Sequence, residues 1–394
     1  MRVCFETFGC RLNRAEALQM EAEYLARGWE LTEDHAEADL FVVRGCSVTQ
    51  RAQHDSERLV AHLRHHHPNV PVRVCGCLKR DSAAARPQAD IGHEAPQGAP
   101  SPLPVRTARA YLKCQDGCSG KCTFCIVPKF RGASVSIPFD SLADRARRFI
   151  DAGYREIVLT GCNLALYASG GRRLPELVAA LAEVSPDCRI RIGSLEPGDC
   201  ALATVDAMAE HANVCRFLHV PVQSGANRML TAMRRPYLVK DVEALAERAV
   251  EKMPLIGLGC DLMTGFPGES DIDFMATKGL VKRLAFSNAH VFPYSERPGT
   301  PAATLPGALP RAIRHARAHA LSDLARSYRA KAAQRFVGRA VEVVVEDERR
   351  LRGWTGEYFA CEVTNHGNAP IRRKALVRAL VRDVDGDVLK ALAV

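Results

Sequence analysis

The stretch YLKCQDGCSGKCTFCIVPKFRG, residues 111–132, carries Cys118, Cys122 and Cys125 in a C-x3-C-x2-C spacing. Three thiolates on one short loop can hold three irons of a cubane [4Fe–4S] cluster, whereas ferredoxin sites supply a fourth cysteine. The fourth iron is then open to chelate a small molecule. In radical chemistry that molecule is S-adenosylmethionine (SAM), held through its amino and carboxylate groups. Cys114 offers a second register. Only the 118/122/125 set couples a three-residue gap to a two-residue gap, so Cys114 reads as a strand residue pointing elsewhere. The competing reading is a zinc knuckle, although zinc sites use paired C-x2-C units and a fourth Cys or His.

Working outward, 394 residues suffice for two or three domains with separate cores. An apolar fraction of 47% and a charged fraction of 25% are those of a soluble globular protein. The opening MRVCFETFGCRLNRAE has no basic stretch followed by an apolar run, and no segment approaches a membrane span. A cytoplasmic protein without a membrane partner is expected. In that compartment fifteen cysteines argue for metal ligation before disulfides. A formal charge of +9 permits a polyanionic partner without requiring one.

The chain divides into five parts. Residues 1–81 alternate strand-like runs (RVCFETFG, DLFVVRG, VPVRVCG) with amphipathic helical runs, which predicts a small parallel α/β domain. Its strands end near Cys10, Cys46 and Cys77. Strand ends line the ligand crevice of open α/β sheets, so these three can converge on a second cluster; they can equally be ordinary buried thiols. Alternation turns Cys75 to the other face. His65–His67 sit at a helix end before Pro68 and read as solvated. Residues 82–107, rich in Pro, Ala and Gly, read as a linker. Residues 108–308 repeat strand and helix about six times, which fits a partial TIM-type barrel with its chemistry at the strand C-termini. Residues 309–334 form a basic linker helix; the run PRAIRHARAHALSDLARSYRAKAAQR has seven Arg or Lys against one Asp. Residues 335–394 are β-rich and predict a small all-β barrel. There Trp354, Tyr358 and Phe359 lie near Arg349, Arg350, Arg352, Arg372, Arg373 and Lys374, a mixture that suits RNA or an ordinary barrel core and surface.

In order, TFGCRLNRAE, GCSVTQRA, CGC, GCSGKCTFCIVPKFRG, IVLTGCNL, RIGSLEP, HVPVQSGANRMLTAMRR, TGFPGES and HVFPYSERPGTPA resemble the radical-SAM methylthiotransferase family over nearly the whole chain. The C-terminal part looks like a TRAM domain. The resemblance implies two [4Fe–4S] clusters, an auxiliary one on Cys10, Cys46 and Cys77 and a SAM-binding one on Cys118, Cys122 and Cys125. One SAM would methylate sulfur at the first, and a second would yield the radical at the other. HVFPYSERPGT and TFGCRLN look most like the branch acting on N6-threonylcarbamoyladenosine, just 3′ of the anticodon in tRNA. The alternatives are the isopentenyladenosine branch, the branch modifying an aspartate of a ribosomal protein, and a non-catalytic iron–sulfur RNA-binding protein. A monomer and an electron donor such as flavodoxin or ferredoxin are also implied. Two departures stand out. Arg44-Gly45 replaces the family's Asn-Thr before the second cysteine, and the Cys77–Cys118 segment is short, so a terminal strand–helix unit is expected to be absent.

Against that background further residues acquire candidate roles, each with a structural alternative. Phe124 would pack by the SAM adenine, or simply hold the loop. Thr160 and Gly161 would let the backbone approach the SAM amino group, or make a turn. Glu196 would accept from the ribose hydroxyls, or sit at the surface. Gln223, with Ser224 beside it, follows a strand, and Arg235 offers a fork for the SAM carboxylate. Gly265 would admit adenine to the backbone, and Asp261 is a candidate polar contact.

Overall fold

The computed structural model describes residues 1–78, 107–367 and 370–394. All but the last residue of the expected linker lies outside them. In the N-terminal part, β1 (Arg2–Thr7), α1 (Arg11–Ala26), β2 (Glu30–Thr32), β3 (Leu40–Gly45), α2 (Gln50–His66) and β4 (Val72–Gly76) build a parallel sheet of order β2-β1-β3-β4. Alternation puts Cys4, Phe41 and Val43 under Val60 and Leu63 of α2, and Val3, Phe5 and Val42 under Tyr24 of α1. Thr49 caps α2 by accepting from Ala52 N–H at 3.1 Å. Arg44-Gly45, one of the two departures from the family pattern, has structural work here. Buried Arg44 points toward α1, pairing with Glu16 and donating to Met20 Sδ at 2.9 Å. At Gly45 a Cβ would lie 2.1 Å from Leu78 Cδ1, so the Leu78 side chain packs into the space that glycine leaves.

The central part opens with β5 (Ala110–Lys113), β6 (Gln115–Asp116), α3 (Val127–Arg131), β7 (Val135–Ser136), α4 (Phe139–Asp151) and β8 (Glu156–Thr160). The short hairpin of β9 (Ala168–Ser169) and β10 (Arg172–Arg173) precedes α5 (Leu174–Val184), β11 (Arg189–Arg191), α6 (Asp199–Glu210) and β12 (Phe217–Gln223). It closes with α7 (Asn227–Ala232), α8 (Val239–Lys252), β13 (Gly257–Thr264), α9 (Asp271–Leu284) and β14 (Asn288–Pro293). Strands β11-β8-β5 and β12-β13-β14 are parallel, and bridges Ile190↔Val214 and Ser194↔His219 join the two sets. The result is an arc of parallel strands open between β5 and β14. One continuous apolar layer, including Ile157, Leu159, Val220, Val222, Cys260 and Leu262, packs against its helices. Cys114 is in that layer, fully buried, which accounts for its absence from the loop's thiol set.

After this come α10 (Arg311–Gln334) and a closed barrel of β15 (Ala340–Asp347), β16 (Arg352–Thr355), β17 (Ala360–Thr364), β18 (Leu376–Asp385) and β19 (Val388–Ala393). Helix α10 straps β13 and β14, and its basic residues are not one solvated face. Arg314 is buried, bonding Leu309 O at 2.6 Å and Glu296 at 2.8 Å; Arg317 pairs with Glu269 and Asp271, and Arg329 with Asp387. The barrel aromatics also depart from an RNA-stacking surface. Phe359 is in the barrel core, while Tyr358 is sandwiched between Trp354 and Phe217, with ring centroids 4.7 Å away on each side. Fully buried Arg191 of β11 donates to Gly356 O at 3.0 Å and Thr355 O at 2.8 Å. The turn between β16 and β17 thus plugs the base of the arc. Arg349, Arg350, Arg352, Arg372 and Arg373 stay at the surface, whereas Lys374 is buried and donates to Ala152 O at 3.0 Å.

Candidate metal and cofactor site

Cys10, Cys46 and Cys77 follow β1, β3 and β4. The register pairs Thr7 with Arg44, Arg44 with Cys75 and Gly45 with Gly76, so the three chains leave the sheet at one level. Phe8 N–H to Arg44 O (2.9 Å) and Cys77 N–H to Gly45 O (3.0 Å) continue the ladder to the cysteines. Gly9 has φ +90°, and a Cβ there would be 2.7 Å from Cys46 Sγ. Glycine therefore lets this loop close over the thiol. Burial raises the Cys46 pKa, and the neighbouring Cys10 and Cys77 thiols add to the rise. Cys75 turns away, its sulfur 3.6 Å from Arg44 Nη1.

The loop with Cys118, Cys122 and Cys125 lies between paired β6 and β7. Gln115 organises it. Its amide donates to Asp116 O, Gly117 O and Ser134 Oγ at 2.7, 2.6 and 2.8 Å, and its carbonyl accepts from Asn163 N–H at 2.9 Å. Gly120 N–H donates to Cys118 Sγ at 3.3 Å. Thr123 ties the loop to Met233 O and Ala232 O, both at 3.0 Å. Arg235 donates to Cys122 Sγ at 3.0 Å, to Tyr237 OH at 2.8 Å and to Glu196. Burial pushes Cys125 up to about 11 and raises Cys118, so ligation must displace protons from both.

Arg131, on the helix that follows this loop, joins the two thiol sets. Its Nε donates to Cys77 Sγ at 3.1 Å, Nη1 to Asp116 Oδ1 and Glu16 Oε1 at 2.9 Å each, and Nη2 to Asn13 Oδ1 at 2.9 Å. Lys113 adds a bond to Glu16 at 2.7 Å. With Arg44 as well, these cations hold the Glu16 carboxyl far below its ordinary value despite burial. On the opposite side, Gln50 bonds Ser295 Oγ at 3.3 Å and Glu296 O at 3.2 Å. The N-terminal domain thereby touches both edges of the open arc.

The donor sets bear on whether a cubane or a single zinc fits. Thiolates around one zinc lie about 3.8 Å apart, given Zn–S bonds near 2.3 Å. Among the described residues, the groups of three ligating side chains whose atoms close within 4.8 Å are Cys4/Glu6/His35 and His219/Asp261/His290, so neither cysteine triad is that tight. The cysteines are free of disulfides. All-sulfur triads looser than 4.8 Å suit clusters in which each thiolate takes its own iron.

The Radical SAM superfamily model matches residues 112–281, and that of the uncharacterized protein family UPF0004 matches residues 2–92. A tRNA-2-methylthio-N(6)-dimethylallyladenosine synthase of Cereibacter sphaeroides is 32% identical, over 89% of each chain. Another of that name, from Mycobacterium bovis, is 34% identical over 86% of this chain and 75% of its own. This chain belongs to the radical SAM methylthiotransferase family. Among solved structures, the radical S-adenosylmethionine methyltransferase TsrM of Kitasatospora setae shares the fold, with a TM-score of 0.56 and 14% identity over 77% of each chain. The methylthiotransferase is therefore a mixed α/β radical SAM protein with an N-terminal parallel sheet and a C-terminal small barrel, and it uses [4Fe–4S] chemistry and SAM.

Of the cofactor contacts expected in this methylthiotransferase, Arg235 and Glu196 do lie at the Cys122 loop, paired to each other, and Asn163 Nδ2 donates to the free Glu196 oxygen at 2.7 Å. Gln223 ends β12 at φ +66°, its buried Oε1 without a partner, an acceptor suited to an amino group. At three other expected contacts the structure shows what already packs against the residue. The bare face of Gly161 is filled by Gln115, whose Oε1 would be 2.8 Å from a Cβ, and Thr160 O accepts from Cys114 N–H. The bare face of Gly265 is filled by Arg314 Cγ, 2.3 Å from a Cβ position. Phe124 packs on the cluster of Met229, Met233, Met263, Phe266 and Tyr294, which is loop anchoring. Ser224 bonds Ala226 N–H within its own turn. Asp261 lies three residues short of its strand end, engaged by His219 and His290. Sequence reasoning missed Asn13, Glu16, Gln115, Arg131 and Asn163. All five fall inside or beside the quoted motifs, but their partners are distant in sequence.

Proposed function

We propose that this methylthiotransferase adds a methylthio group to carbon 2 of an N6-modified adenosine 3′ of the anticodon in tRNA, with N6-isopentenyl (dimethylallyl) adenosine as substrate. The Arg131 bridge carries the reading: one guanidinium contacts Cys77 and sits on the helix leaving the Cys118 loop, so two thiol triads share a boundary. Bound to these triads, the clusters and SAM supply methyl transfer to sulfur and a radical able to break an unactivated C–H bond. The chain's own part is placement. Arg235, with N–H groups beyond those already bonded, orients a carboxylate; Gln223 accepts from an amino group; and the N-terminal domain over the arc excludes water. Surface Arg349, Arg350, Arg352, Arg372 and Arg373 suit the tRNA backbone. A one-electron donor such as flavodoxin or ferredoxin completes the scheme.

The relatives' names support the isopentenyl substrate along most of the chain. HVFPYSERPGT and TFGCRLN favour a second reading, N6-threonylcarbamoyladenosine. Nucleoside mass spectrometry of tRNA from a gene deletion separates them. Loss of the methylthio form with accumulation of isopentenyladenosine is expected. The same change in threonylcarbamoyladenosine would establish the second reading, and unchanged profiles would defeat both.

A further inference from the structure

We propose that His219, Asp261 and His290 form a third metal site, for one divalent cation of the zinc class, on the inner wall of the arc. The three come from adjacent parallel strands β12, β13 and β14. The register pairs Asp261 with His290 and sets His219 opposite Gly259, so all three lie near one height. Their sequence neighbours Val220, Cys260 and Leu262 face the helices, which turns His219 and Asp261 inward by strand alternation. Asp261 is three residues before the end of β13, about 10 Å below the mouth of the arc at the usual strand rise. The site is therefore separate from both cysteine sets.

The spacing admits an ion, and without one each imidazole contacts a different oxygen of Asp261. His219 Nε2 is 3.1 Å from Asp261 Oδ2, and His290 Nδ1 is 3.3 Å from Asp261 Oδ1. Imidazole–carboxylate hydrogen bonds run from about 2.7 to 3.2 Å, so both contacts lie at or just past the long end of that range. Ligand atoms about 2.1 Å from one cation stand about 3.0–3.4 Å apart in octahedral or tetrahedral order. All three ligand atoms lie within 4.8 Å of one another. Two imidazoles and a carboxylate, with positions left open, are a recurring divalent-metal donor set. The exposure is graded as such a site needs. The side chain of His219 is 6% exposed, Asp261 25% and His290 60%, giving a fixed back wall and one open side for water or an oxygen ligand. Gly259 sets the wall: a Cβ there would be 2.8 Å from His219 Nδ1 and 2.6 Å from the Phe217 ring.

The test uses the full-length protein with its iron–sulfur clusters reconstituted. Zinc chloride is added, unbound metal is removed by desalting, and zinc and iron are counted together. The wild type should retain about one zinc per chain. His290→Gln and Asp261→Asn should lower zinc affinity by about tenfold or more with iron content unchanged. Zinc-edge X-ray absorption of the wild type should read nitrogen and oxygen donors. No retained zinc, equal retention in the variants, or sulfur donors would overturn the assignment. Should a variant also lose iron, the wild-type spectrum decides on its own.

Discussion

Arg131 meets Cys77, Glu16, Asp116 and Asn13 with a single guanidinium, a task that depends on the planar fork. Lysine keeps the charge but cannot reach several acceptors in fixed directions. Arg131→Lys should therefore leave Glu16 and Asp116 under-partnered in a site where Arg131's side chain is 9% exposed, at a cost of about 3 kcal/mol. It should also loosen Cys77, so that anaerobic desalting removes about one four-iron cluster. Iron and sulfide counting with Mössbauer spectroscopy checks this; full iron content in the variant would make the fork dispensable. The residue scale also marks where the sequence is legible. Cys118, Cys122 and Cys125 announce themselves by spacing, because one loop supplies all three donors. Cys10, Cys46 and Cys77 need the parallel order β1-β3-β4 before they meet. Arg131 was in plain view at the end of the same motif, yet Asn13 and Glu16, its partners, belong to another domain and no local rule links them.

Among the elements, the turn between β16 and β17 does most to join two domains. It fits because Gly257 at the start of β13 has no side chain: a Cβ there would be 2.2 Å from Glu357 O. Gly257→Ala must push the turn back, costing about 1–3 kcal/mol as over-packing does. Faster amide exchange and proteolysis across residues 340–394 are expected, with iron content retained because both thiol triads lie at the other end of the arc. Exchange unchanged from wild type would show that the turn yields freely. In sequence, Trp354 and Tyr358 beside arginines suit RNA and an ordinary barrel core and surface equally, and the ambiguity is physical. A nucleobase platform and a domain contact both pair aromatic faces with guanidinium groups, and here the partners are Phe217 and Arg191. Helix α10 misled in the same way: charge is visible in sequence, but whether Arg314 and Arg317 meet water or Glu296 and Glu269 is decided by packing.

At the scale of the whole molecule, both terminal domains dock on the arc through carboxylates, largely buried Glu16 on one side and fully buried Glu156 on the other. Glu156 is fully buried and bonds Arg191 at 2.7 Å and Arg189, with Arg109 at 3.9 Å; the two strand arginines extend to backbone carbonyls of the C-terminal barrel. Those cations hold its carboxyl far below the ordinary 4.5, overcoming burial. A carboxylate depressed in the folded state stabilises above its unfolded pKa, and that contribution is lost as pH falls through the folded value. The protein should thus keep its Glu156 stabilisation from pH 8 down to about 4.5 and lose it progressively below. Glu156→Gln keeps the shape but strands the arginines without a counter-charge, for about 3–5 kcal/mol. Denaturant unfolding of both proteins at a series of pH values reads the linkage directly. The gap between them should be constant near neutrality and narrow as acid protonates the wild-type carboxyl. A gap that widened on acidification would mean that the carboxyl is already protonated in the native fold, and the charge clamp between arc and barrel would have to be replaced by a neutral contact.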